Sequence, residues 1–410
     1  MTSFTTKSLN VKYPKTDSYN ALQMPIYNAV AFEFDSAEDI AANFRGELPA
    51  HAYSRTGNPT VEYFELKLKA LTNSSNVIAM ASGMAAISTT VLTLCKSGDN
   101  IISGSNLFGH TYAFFNQNLK ALNIENRIVD FNNLEELESK IDDKTRLIYF
   151  ETVTNPQLEI CDIQALSSIA KKHKVALVAD STLTPPNVFS SRKFGVDIEL
   201  MSTTKYISGG ATSVGGVVID NGLFNWASNP NLEAYVTKFK ANAFTAKLRK
   251  NIFRNMGPCM SAQTAHYQTL GLDILELRME KCHANCLLLG DYLNQNKAVS
   301  RVDYPGLKDS PLYTLAQKQF CAVPGTIMTF DLSTQEACFK FMNALRVIRR
   351  ATNLNDNKSL IIHPWSTIYA EFSEEQRIAM GIRPSMMRLS VGIEGANDLI
   401  EDIEQALKAV

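Results

Sequence analysis

Between residues 57 and 220 short apolar runs alternate with stretches of helical spacing. The runs fall at 77–81, 101–103, 127–130, 147–151, 175–179, 198–202 and 216–219. Segments between them, such as 164–173, repeat apolar residues on one helical face: Leu166, Ile169 and Ala170 stand at i, i+3 and i+4. This alternation predicts an α/β fold with a mostly parallel sheet and helices on both of its faces. Residues 1–55 are polar and interrupted by proline, which predicts an extended arm. A long helical region is expected over about 243–293, followed by mixed strands and helices. Ser373 and Gln376 have the spacing of a capping box, and Tyr304-Pro305-Gly306-Leu307 reads as a turn. The expected organisation is an arm (1–55), a large α/β domain (56–255) and a smaller α+β domain (256–410).

Composition narrows the class. The 410 residues are 45% hydrophobic and 20% charged, so the chain can bury a large core and is neither disordered nor collagen-like. Forty basic against 41 acidic residues leave a net charge of −1, with no general electrostatic footprint for nucleic acid or an acidic membrane. Seven cysteines, an odd number without a CxxC pair, argue against a disulfide framework or a zinc ribbon. Cys282 and Cys286 lie one helical turn apart around His283 and read as packed thiols, with no metal expected. Residues 78–95 carry no charge, but Ser82, Gly83, Ser88, Thr89, Thr90 and Thr93 make them a buried strand and core helix rather than a membrane span. The opening MTSFTTKSLN lacks the apolar core of a secretory signal. A cytoplasmic protein is the expectation.

Three segments carry candidate chemistry. In Met201-Ser-Thr-Thr-Lys205 a lysine follows an apolar strand, where partial desolvation lowers an amine pKa and makes it nucleophilic. Ser202 and Thr204 place hydroxyls beside it, suited to a phosphate. In Val175-Ala-Leu-Val-Ala-Asp180-Ser-Thr182 an aspartate ends a strand, at the side of an open α/β sheet where ligands bind. A carboxylate there needs a cation, which a protonated pyridine nitrogen would supply. In Ala81-Ser82-Gly83-Met84-Ala85-Ala86 small residues open a helix, whose N-terminus favours a phosphate. Each also has a plainer reading: a snorkelling lysine, a capping aspartate, a glycine for tight packing. No GxGxxG opens a helix after a strand and no Walker motif occurs, which weakens a nucleotide-binding reading of the Gly209–Gly216 run.

Taken in order, Tyr53-Ser-Arg55-Thr-Gly-Asn-Pro59, Ser82-Gly83-Met84, Glu151-Thr-Val-Thr-Asn155-Pro156, Asp180-Ser-Thr182, Ser202-Thr-Thr204-Lys205 and Arg388-Leu-Ser-Val-Gly392 resemble the Cys/Met-metabolism family of pyridoxal-phosphate enzymes. The resemblance runs from about Pro25 to the C-terminus. It implies a pyridoxal-phosphate-dependent transferase of fold type I, with a large mixed sheet and a smaller C-terminal domain. It implies pyridoxal 5'-phosphate as cofactor, with Lys205 as the lysine that holds it and moves protons. Asp180 matches the partner of the ring nitrogen, and Thr182 lies beside it. Ser82, Gly83, Met84, Ser202 and Thr204 match the phosphate cradle. Tyr53 and Arg55 match the pair that reaches the phosphate of a neighbouring subunit, which implies a homo-oligomer, a dimer of active dimers. Arg388 matches the arginine that holds the substrate carboxylate, and Asn155 an asparagine near cofactor and substrate.

Departures from the family pattern bear on the substrate. Most relatives have a tyrosine where Phe108 stands. Phe108 keeps a stacking surface and loses the hydroxyl, which favours a leaving group that departs readily as an anion. His110 stands where methionine γ-lyases carry a cysteine. Asn353 stands where synthases and lyases usually have serine, and is a candidate second contact to the carboxylate. Phe108, His110 and Asn353 together imply γ-replacement on O-acetyl-L-homoserine by a sulfur donor, either sulfide or a sulfur-carrier protein. A long insertion after the lysine segment, found in many sulfhydrylases, is absent and counts against that branch. Methionine γ-lyase and cystathionine γ-synthase are the alternatives on the same scaffold. A non-catalytic nucleotide-binding protein is the alternative of another class.

Overall fold

The computed structural model describes residues 3–14, 17 and 19–410. All seven apolar runs become strands of one sheet: β1 (Asn76–Met80), β2 (Asn100–Gly104), β3 (Glu125–Val129), β4 (Thr145–Glu151), β5 (Ala176–Asp180), β6 (Ile198–Met201) and β7 (Gly216–Asp220). Their spatial order is β1-β7-β6-β5-β4-β2-β3, and only β7 runs against its neighbours. Strand side chains alternate between faces, so each strand feeds two cores. Ile101, Leu147, Tyr149 and Val178 pack on one side with Ile87 and Val91. Ile102, Ile148, Phe150 and Leu177 pack on the other with Leu166 and Ala170 of the helix Ile163–His173. Each of the buried Ile, Leu, Val and Phe side chains contributes about 1.5–3 kcal/mol, and the strands read as continuous apolar runs because neither face meets water.

The remaining strands form a second, mainly antiparallel sheet. They are β8 (Arg301–Asp303), β9 (Ile327–Asp331), β10 (Arg349–Arg350), β11 (Leu360–Ile362) and β12 (Met386–Ser390), in the order β10-β11-β12-β9-β8. Along β12, Met387 and Leu389 face that sheet's own core, which turns Arg388 between them the other way.

Two expectations are corrected. The arm is not extended throughout. It forms α1 (Phe4–Leu9) and α2 (Ala37–Arg45), ahead of α3 (Pro59–Thr72) and α4 (Gly83–Leu94). Ser36 caps α2 through Asp39 N, Glu38 and Asp39 complement its first turn, and Gly46 closes it in the left-handed conformation at φ 79°. α1 lies against its own chain, where Ser8 Oγ donates to Asp273 Oδ1 at 2.8 Å. The long helical region is likewise broken, between Met256 and Ala262, before the helices Ala262–Asp273 and Leu275–Asn294.

The smaller features follow the sequence. Ser373 and Gln376 make the reciprocal capping box. Residues 78–95 are β1, its turn and α4. Cys282 and Cys286 are buried, and His283 Nδ1 pairs with Tyr304 Oη at 2.7 Å. Among the described residues no helix is long and apolar enough to cross a membrane.

Candidate active site

Parallel strands that turn into helices leave a crevice at their carboxyl ends. Here β4 ends at Glu151, β5 at Asp180 and β6 just ahead of Lys205, while α4 presents its N-terminus to the same space. The result is a cavity of about 340 Å³. The candidates Ser82, Gly83, Met84, Phe108, Asn155, Asp180, Thr182, Ser202, Thr204, Lys205 and Arg388 all line it. The last comes from the second sheet, so the cavity lies between the two.

Lys205 Nζ donates to Asn353 Oδ1 at 2.8 Å, which places Asn353 at the cavity. Burial, reinforced by the charge of Arg388, pulls the lysine amine down to about 8. Arg388 is buried, and burial lowers its guanidinium to about 10. Its Nη1 donates to Asn155 Oδ1 at 3.0 Å, and Nη2 to the carbonyls of Thr352 and Asn353, both at 3.2 Å. Among the described residues Arg388 Nε has no partner. A buried guanidinium with an unmet donor is prepared for an anion.

Asp180 is held by three donors. Thr182 N and Thr182 Oγ1 reach Oδ1 at 2.9 and 2.6 Å, and Tyr149 Oη reaches Oδ2 at 3.1 Å. Thr182 Oγ1 also accepts from Ser202 N at 2.9 Å, which ties the end of β5 to the segment leading to Lys205. Burial raises the Asp180 carboxyl against the pull of its donors.

The phosphate candidates form a close-fitting cradle. A Cβ on Gly83 would stand 2.7 Å from Ser202 Cβ, so the first turn of α4 meets the lysine segment only because residue 83 has no side chain. Ser82 caps that turn through Ala85 N, and Thr204 Oγ1 exchanges hydrogen bonds of 3.1 Å with the backbone of Gly215. The glycine run has a packing role: a Cβ on Gly209 (φ 75°) would meet Gly271 Cα at 2.9 Å, where two backbones cross. Cradle, lysine, buried carboxylate and free arginine donor together fit pyridoxal phosphate.

Tyr53 and Arg55 are the candidates that neither line this cavity nor bond to a described residue that does. Tyr53 is exposed, with the Arg55 guanidinium 5.4 Å from its ring centre. Arg55 donates to Arg254 O and lines a separate cavity of about 330 Å³ with His51, Glu65 and Arg249. Sequence reasoning also missed residues. Glu151, although quoted within a motif, was given no role, yet it lines the cavity and accepts from Phe108 N at 2.7 Å. Tyr149 and Tyr369 were missed because a tyrosine inside a buried segment reads as core. Tyr369 Oη reaches Asn155 O at 3.2 Å.

Comparison with known proteins identifies the family. The model of the Cys/Met metabolism PLP-dependent enzymes matches residues 5–408. L-methionine gamma-lyase of Pseudomonas putida is 34% identical, covering 99% of this chain and 97% of that protein. A Campylobacter jejuni protein described as an O-acetylhomoserine (thiol)-lyase superposes with a TM-score of 0.95 at 31% identity. The match covers 99% of this chain and all of that one, and that crystal structure contains N'-pyridoxyl-lysine-5'-monophosphate at its position 205. The O-acetylhomoserine sulfhydrylase of the methionine biosynthetic pathway of Wolinella succinogenes is 45% identical. There the TM-score is 0.78, over 85% of this chain and 97% of that one. The chain belongs to the Cys/Met metabolism family of pyridoxal-phosphate-dependent enzymes, whose chemistry is γ-elimination or γ-replacement.

Proposed function

We propose that this chain replaces the acetate of O-acetyl-L-homoserine with a sulfur nucleophile, giving L-homocysteine. Bound in the cavity, pyridoxal phosphate supplies the electron sink that lets a substrate carbon lose its proton. Lys205 is the residue read as holding the cofactor, a reading supported by the pyridoxyl-lysine of the Campylobacter jejuni protein. Its amine, near 8, is basic enough to take the Cα proton at Nζ and acidic enough to return it. Asn353 Oδ1 holds Nζ on one side of the cavity. Arg388, through its free Nε and the Nη1 now resting on Asn155, would take the substrate carboxylate and orient the chain of carbons.

The observation that carries the choice of substrate is Phe108, an aromatic surface in the cavity with no hydroxyl. Acetate leaves as a stable anion unaided, whereas a thiolate gains from an acid nearby. The Wolinella succinogenes likeness supports the same reading. Sulfide, or sulfur released from a carrier protein, would give homocysteine, and methanethiol entering by the same replacement would give methionine. The likeness to the Pseudomonas putida enzyme favours a γ-lyase, against which stand Phe108 and His110. We read Tyr53 and Arg55 as reaching the phosphate of a neighbouring subunit, in a dimer of active dimers, and 56–255 and 256–410 as the two domains of each.

The test is Phe108→Tyr. Restoring the hydroxyl should raise methanethiol release from methionine about tenfold or more relative to ester use, within the range of one general acid. An unchanged ratio would remove the argument from Phe108.

A further inference from the structure

Glu151 and Asp180 stand directly opposite each other at the ends of β4 and β5. Paired residues on adjacent strands project to the same face about 5 Å apart. Two carboxyls so placed do not both ionise without a cation for each. The hydrogen bonds decide which keeps its proton. Asp180 accepts from Thr182 N, Thr182 Oγ1 and Tyr149 Oη, three donors that favour its charged form. Among the described residues Glu151 has two donors, the backbone N–H groups of Phe108 and Asn155, which also favour its anion but are outnumbered by the three at Asp180. Its other neighbours are Tyr149 and Tyr369, whose phenols it influences, Lys205, His110 and Arg388 across the cavity, and Asp130 and Glu159 around a small cavity of about 50 Å³ behind it. None of the basic groups is paired with Glu151 among the described residues.

The Phe108 N–H ends at Glu151 Oε1, at 2.7 Å. Phe108 begins α5 (Gly109–Ala113) without a side-chain cap, so this carboxyl oxygen fixes the entry to that turn. The ring that follows stands edge-on to His110, with centres 5.2 Å apart, and both rings line the cavity.

We propose that Glu151 is a positioning residue that works in its neutral, protonated form: one oxygen anchors the Phe108 backbone, and the proton leaves Asp180 as the single anion of the pair. Burial and the nearby Asp180 both push the Glu151 carboxyl well above the usual range, in the same direction. The inference rests on the cofactor occupying this cavity and is indifferent to which ester or sulfur donor is used. Its failure and the failure of the γ-replacement reading are therefore separable.

The experiment is a pH titration of the visible absorbance and circular dichroism of the purified holoprotein, without substrate. Glu151→Gln keeps the acceptor and the neutral charge, so the titration midpoint should stay within about 0.3 pH unit, since loss of an adjacent charge would move it by about one unit or more. Glu151→Met removes the acceptor and should change the visible circular dichroism at least about twofold by releasing Phe108, whose ring depends on that bond for its seat. A midpoint displaced by a unit in Glu151→Gln, or an unaltered dichroism in Glu151→Met, would overturn the proposal. An infrared carbonyl stretch of a protonated acid, present in the parent and missing in Glu151→Gln, supports it without a destabilised variant. Its absence from the parent overturns it.

Discussion

The reactivity assigned to Lys205 comes from its surroundings. An exposed lysine titrates near 10.5; here burial and Arg388 bring the amine to about 8. Only the neutral amine attacks an aldehyde, so attachment of pyridoxal phosphate to cofactor-free protein should accelerate with pH and level off with a midpoint near 8. Stopped-flow growth of the visible band measures this, and a rate still climbing steeply at pH 10 would contradict it. Arg388 is the complementary case, since the role proposed for it depends on shape. Arg388→Lys keeps a charge and loses the planar fork, so KM for the amino-acid ester should rise about ten- to a hundredfold, equivalent to ~1.5–3 kcal/mol. A KM within twofold of the parent would place the carboxylate elsewhere. Lys205 was legible in the sequence because a charged residue after an apolar strand is conspicuous, whereas Arg388, inside β12, was found only through its match to the family motif. Glu151 was not legible, because its role depends on which residue of β5 lies opposite, and register is a property of the assembled sheet.

At the scale of elements, the seven strands were legible because burial on both faces writes each as an apolar run. Glu199 breaks that pattern inside β6. Its register partner is Ala179, so it points away from Asp180, to the opposite face, where Ser181 Oγ and Ser191 Oγ donate to it. Burial raises its carboxyl from 4.5 to about 7. The folded chain therefore holds this proton more tightly than the unfolded chain. The group's contribution to stability is full below about pH 4.5 and declines as pH rises to about 7. Asp197, raised to about 7, and Asp220, raised to about 6, act in the same direction. Glu199→Gln removes one such group, so its melting temperature relative to the parent should be higher at pH 8 than at pH 5. An equal difference at both would show that Glu199 does not titrate over that range. The helices of the arm escaped notice for another reason. α1 and α2 are too short for an apolar period, and only their serine caps, Ser3 and Ser36, announce them.

At the scale of the molecule, the cavity joins strand ends of one sheet to Arg388 of another, a convergence that motif order suggested and spacing could not demonstrate. Tyr53 and Arg55 remain outside it. If they serve a neighbour's site, a mixed dimer of Arg55→Ala and Lys205→Ala contains one intact site. Random one-to-one reassembly should then restore about a quarter of the parent's activity from two impaired variants. No recovery would place Arg55 outside the partner's site.

The measurement that bears most directly on the proposed activity is homocysteine formation by the purified holoprotein from O-acetylhomoserine and sulfide, with methionine alone in a parallel tube. The account predicts homocysteine and acetate in the first tube and no methanethiol in the second. Methanethiol and 2-oxobutyrate from methionine, without homocysteine from the ester, would contradict it and identify the cavity as that of a γ-lyase.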